Sequence, residues 1–163
     1  MIDALRINLV ELRRKLATRR SFQREATVPD LAIVSTFVPE DEPVSVELDL
    51  ESVSNGVMVA GTIRAPWEGE CRRCLEPVRG MVEVEVQELF TDEGDPDEIY
   101  PIDGEELDLR PMVRDAIVLN LPLAPLCRPD CLGPDPERFP ALVEGEGPVD
   151  RRWAGLSELR FKD

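Results

Sequence analysis

The chain has 163 residues, 42% of them hydrophobic and 33% charged, which suits one domain with its own apolar core. Its formal net charge is −15 and it contains no histidine, so nucleophile pairs and metal sites that need imidazole are excluded. No apolar run reaches the roughly 18 residues of a membrane-spanning helix. The N-terminus MIDALRINLVELRRK lacks the basic start and apolar block of a secretory signal, so a cytoplasmic location is expected. Thiols stay reduced there and structural disulfides are rare.

Residues 1–24 hold seven basic side chains against Asp3 and Glu11, a net +5, which leaves −20 on the remainder. Arg13, Arg14, Arg19 and Arg20 cluster closely enough to grip a few phosphates, and an arginine fork pairs with phosphate in bidentate fashion. An acidic body repels nucleic acid, so RNA contact is expected at this basic end. Two competing readings remain: arginine enriched by a GC-rich genome, and arginines paired with carboxylates of the same chain.

Five segments read as strands. Residues 21–28 (SFQREATV) are weakly patterned, and 31–38 (LAIVSTFV) are continuously apolar with β-branched residues. Residues 44–50 alternate, with Val44, Val46, Leu48 and Leu50 on one face. After the Asn55-Gly56 turn signal comes GVMVAGTI, and residues 81–89 alternate again with Val82, Val84 and Val86 inward. Strict alternation predicts antiparallel sheet with one wet face.

Residues 91–106 are half acidic, with none basic, and read as a solvated loop. A helix is predicted over 108–120, with Asp108 as its cap. The stripe Leu109, Met112, Val113, Ala116 and Ile117 would pack on the sheet, and Pro122 would end the helix. The Pro/Gly-rich run 128–149 reads as loop. A short C-terminal helix is predicted over 150–161, with Trp153, Leu156 and Leu159 inward. The expected fold is α+β: a mainly antiparallel sheet, curled towards a barrel, with one packed amphipathic helix and that short C-terminal helix, in a single domain over 1–163.

The four cysteines fall in two short-spaced pairs, Cys71 and Cys74 in CRRC, Cys127 and Cys131 in CRPDC. In a reduced compartment this pattern points to zinc: each pair sits on one tight loop, and folding joins the loops into a tetrahedron of thiolates. The 52 intervening residues exceed a compact ribbon, so the site would tie distant elements together. Such a centre carries net charge −2, which Arg72, Arg73 and Arg128 stand beside to offset. Free thiols and a redox couple are the alternatives, but a redox C-x-x-C needs a helix starting at the motif, and Pro77 and Gly80 follow here. No phosphate-binding glycine loop occurs. The abundant carboxylates leave open a magnesium-dependent RNA-processing enzyme.

The run CRRCLEPV, a strand ending ELF, then LDLRPMVRDAIVLNLPLAPLC resembles the YceD family, the large ribosomal RNA subunit accumulation proteins. The closing DRRWAGLSEL resembles that family's terminal segment. The resemblance implies a non-catalytic ribosome-biogenesis factor that acts with large-subunit ribosomal RNA or its precursor particles. A basic ribosomal protein is a further expected partner, held by the acidic segment, and no membrane is involved. Many family members carry a further C-x-x-C after the second pair. Here that place reads GPDPERF, so the ligand set for zinc reduces to Cys71, Cys74, Cys127 and Cys131.

Overall fold

The structure is a computed structural model and describes residues 2–95, 99–140 and 152. A 3-10 turn, Ile2–Leu5, leads into β1 (Arg6–Asn8) and a one-turn helix α1 (Val10–Arg13). The strands β2 (Arg19–Ala26), β3 (Thr36–Phe37), β4 (Val44–Val53), β5 (Gly56–Glu70) and β6 (Pro77–Thr91) follow. Then come β7 (Tyr100–Asp103), β8 (Glu106–Asp108) and α2 (Arg110–Asn120). The strands form one sheet in the order β1-β8-β7-β6-β5-β4-β2, with β3 paired to β5 off that path. Every pairing is antiparallel except β6 with β7.

The alternating pattern of β4 gives the curled sheet its buried face. Val44, Val46, Leu48 and Leu50 are all buried, and across the ladder Val57, Val59, Ile63 and Ala65 of β5 join them. Val82 and Phe90 of β6 close the row, with Val84 and Val86 packed against it. The β4 to β5 turn is tight: Val53 pairs with Gly56 around Ser54 and Asn55. Gly61, at φ +152°, lies against the β4 backbone, where a Cβ would stand 2.2 Å from the Glu47 carbonyl oxygen.

The expected α+β class is corrected. Among the described residues eight strands carry the fold, and the helices are short, four residues in α1 and eleven in α2. This is a curled half-barrel of sheet. Helix α2 does lie against β5 and β6, burying Met112, Val113 and Ile117. It is an insert into a strand-built core and does not form a layer of its own. Strands here hide where composition is unusual. The second half of β5, RAPWEGE, holds a proline and a glycine, yet it stays paired with β6 out to Glu70. Pro66 lies past Arg64, the last β5 residue paired with β4, so its missing N–H is tolerated on that edge.

Three local expectations also change. Residues 31–38 form a tight reversal and not one strand: Ile33 N–H donates to the Thr36 carbonyl, and Val38 N–H to that of Leu31. The acidic segment 91–106 contains β7 and the start of β8, folded back at Gly104, which has φ +62°. Asp108 ends β8, and Leu109 holds the N-cap position of α2. The Asp108 carboxylate instead accepts from the Arg110 N–H at 3.0 Å and pairs with the Arg110 guanidinium, which holds it below its usual range. The helix expected over 150–161 lies outside the described residues, apart from Arg152.

Candidate metal centre

The long β5 to β6 hairpin turns at residues 71–76, between the paired residues Glu70 and Pro77. The loop is closed by Cys71 N–H donating to the Glu76 carbonyl at 2.8 Å, and by Leu75 N–H donating to the Cys71 carbonyl at 2.9 Å. Leu75 sits at φ +63°, a left-handed conformation that costs a residue with a Cβ roughly 1–2 kcal/mol. The second pair lies after α2. Leu121 leaves the helix extended, and the chain then runs back along the hairpin tip. Ser35 Oγ and Thr36 Oγ1 both donate to the Pro122 carbonyl, and Arg72 N–H donates to that of Pro125 at 2.9 Å. The Arg73 guanidinium clamps the second loop directly, donating to the carbonyls of Pro129 (3.3 Å) and Cys131 (2.7 Å).

These contacts bring all four sulfurs within 4.8 Å of one another. Cys71 and Cys131 Sγ atoms are 3.8 Å apart and those of Cys74 and Cys127 are 3.6 Å apart, far beyond a disulfide bond. A tetrahedral zinc with Zn–S bonds of about 2.3 Å places its sulfurs about 3.8 Å apart, so the donor set fits that ion in number, kind and spacing. Cys71 and Cys131 are buried, Cys74 is half-buried and Cys127 is exposed.

The thiols differ sharply in acidity. Backbone hydrogen bonds from Cys74, Cys127 and Arg73 draw Cys71 down to about 6. The Cys131 thiol, together with burial, pushes Cys127 up to about 12. At Cys74 a backbone hydrogen bond from Glu76 favours the thiolate, but burial and the Cys71 thiol outweigh it and leave Cys74 raised. Four adjacent thiols cannot all ionise unaided, because each thiolate opposes the next. A divalent cation resolves that conflict. Among the described residues this is the one cluster of His, Cys, Asp or Glu donors close enough to hold an ion, so no carboxylate group supports a magnesium site there.

The four arginines of the basic end are placed on α1, just after it and on β2. Three have carboxylate partners: Arg13 with Asp92 at 2.9 Å, Arg14 with Glu11 at 2.9 Å and Arg19 with Glu51 at 3.0 Å. Arg20 is exposed and makes no ion pair among the described residues. The clamp by Arg73 escaped sequence reading, since nothing in CRRC says which arginine turns inward.

Residues 59–160, which span both cysteine pairs, match the YceD family, described as the large ribosomal RNA subunit accumulation protein YceD. The chain belongs to this family. An uncharacterized protein of Mycobacterium tuberculosis is 45% identical over 132 residues, covering 73% of this chain and 64% of its own length. One of Mycobacterium leprae is 34% identical over 154 residues, covering 85% and 70%. The uncharacterized YlbN of Bacillus subtilis is 25% identical over 162 residues, covering 89% and 91%. The chain thus spans 64% of the length of the Mycobacterium tuberculosis relative. No solved structure matches it. No helix among the described residues is long and apolar enough to cross a membrane.

Proposed function

We propose that this YceD-family protein is a non-catalytic, cytoplasmic factor that supports accumulation of large-subunit ribosomal RNA, with a structural zinc held by Cys71, Cys74, Cys127 and Cys131. The observation that carries the reading is the family match across a segment whose four cysteines converge. All four positions are filled by thiolates, so the ion has no open site for activating water, and its role is to hold two loops together.

RNA contact is assigned to Arg13, Arg14, Arg19 and Arg20. Their ion pairs are exposed, with Arg14 and Arg19 side chains 67% and 75% accessible. Exposed pairs are worth about 0–1 kcal/mol, so a phosphate can displace the carboxylate at little cost. Phosphate contacts alone carry no sequence information, so a second contact must specify the particle. The acidic segment 91–106 is suited to a basic ribosomal protein beside that RNA.

The test has two arms. Protein purified under reducing conditions should contain one zinc per chain by elemental analysis; none would remove the metal from the proposal. Changing Arg13, Arg14, Arg19 and Arg20 together to Glu should abolish co-sedimentation with precursor large subunits while circular dichroism stays unchanged. Undiminished co-sedimentation would show that this end does not face RNA.

A further inference from the structure

The four sulfurs are not equivalent towards solvent. Cys71 and Cys131 are 0% and 3% exposed and form an inner pair, whereas Cys127 is exposed and Cys74 half-buried, an outer pair 3.6 Å apart. The outer two come from different loops. Cys74 belongs to the hairpin tip, which Arg73 and Arg72 bind to the loop that carries Cys127. Closing 3.6 Å to a disulfide of about 2.05 Å asks for an approach of roughly 1.5 Å between the two sulfurs.

We propose that Cys127 and Cys74 are an oxidative modification site for a hydroperoxide, which converts the thiolate centre into a covalent staple between the two loops. A peroxide reaches the exposed Cys127 first. The Cys127 sulfur attacks the O–O bond and its thiol proton passes to the leaving oxygen, giving a sulfenic acid and water, or an alcohol from an organic hydroperoxide. The Cys74 sulfur then attacks the Cys127 sulfur, forms the S–S bond and expels hydroxide, which takes up the Cys74 thiol proton and leaves as water. Two electrons pass from the sulfur pair to the peroxide. Only the inner two thiolates remain for the metal, so the ion is released. The backbone and Arg73 contacts between the loops do not involve the outer sulfurs, so the loops stay in register while the metal leaves. A thiol reductant reverses the reaction. Ion release rests on the zinc reading above; the cross-link does not.

Purified full-length protein treated with hydrogen peroxide and digested without reduction reports the outcome by peptide mass spectrometry. The expected first product is the cross-link joining Cys74 to Cys127, lost on adding dithiothreitol, with zinc passing to a chromogenic chelator at the same rate. Cys127→Ser should lose that cross-link and slow total thiol loss, and Cys74→Ser should leave Cys127 to accumulate as sulfenic and then sulfinic acid. A first product joining Cys71 to Cys131, or either pair within its own loop, would overturn the assignment. So would oxidation of the wild type to sulfinic acid without any cross-link. Protein that holds no zinc yet forms the Cys74 to Cys127 cross-link would sink the metal reading alone and leave the modification site standing.

Discussion

Replacing Ile117 by alanine tests whether α2 is part of the core or a docking face. Ile117 is 0% exposed on the side of α2 that meets β5 and β6. The substitution removes three carbons, about 2.4 kcal/mol at roughly 0.8 kcal/mol each. The hole left between helix and sheet adds about 1 kcal/mol if some 50 Å³ fails to collapse. The expected loss is therefore about 3–4 kcal/mol, a large part of the roughly 5–15 kcal/mol of an ordinary domain. In urea, with a slope near 2 kcal/mol per molar, the unfolding midpoint should fall by about 1.5–2 M. Leu119→Ala, two residues on but 82% exposed, is the control and should stay within about 0.5 kcal/mol of the wild type. If both variants unfold at the same midpoint, the packing argument is wrong and α2 is free for a partner.

Three further outcomes can be measured. Gly61→Ala should destabilise by about 3 kcal/mol or more, because a Cβ would come within 2.2 Å of the Glu47 carbonyl oxygen at a φ of +152°; a wild-type melting curve would contradict the crowding. Tyr100, raised to about 12 by burial and then by the hydrogen bond its hydroxyl donates to Asp115, stays neutral where the unfolded side chain ionises. Its contribution is therefore complete below pH 10 and drains away as pH rises from 10 to 12, so Tyr100→Phe should flatten that alkaline decline, and an equally steep decline would refute the cause. Stripping the metal with a chelator should speed amide exchange at residues 65–82 and 121–131 while β4 keeps its protection; uniform acceleration would mean that the centre holds the whole fold.

What the sequence made legible follows from how few forces decide each element. β4 was readable because one rule governs it: a half-buried strand alternates, and Val44 to Leu50 alternate without a break. The stripe of α2 was readable for the same reason at a different period. Residues 31–38 were not, because a continuous apolar run has no period, and the reversal there depends on Ser35 and Thr36 finding carbonyls some 86 residues away. β7 and β8 were masked by charge: Ile102 and Leu107 supply the buried face, but eight carboxylates around them dominate the composition. The cysteine cluster was legible because ligand spacing is itself a constraint. The pairing of Arg19 with Glu51 was not, since it requires the register of β2 on β4.

The chain has an extensive apolar core of its own, so the zinc we propose would answer a local need. β4 supports β5 only as far as Arg64, where Ser45 is the last partner. Beyond that point the β5 to β6 hairpin continues without β4 to Glu70 and Pro77, with the two residues of β3 against its edge and the Arg72 and Arg73 contacts at its tip. An isolated two-stranded ribbon is marginal in water. Trp67 lends some help by lying over Gly80, where a Cβ would stand 2.6 Å from its ring. That contact stabilises one rung, not the tip. The zinc we propose would strengthen the hold of the segment after α2 on this tip, since structural zinc contributes an apparent binding energy of roughly 10–16 kcal/mol in finger peptides. The strained Leu75, 66% exposed, stands at this pinned end beside Cys74, and Leu132, 54% exposed, follows Cys131.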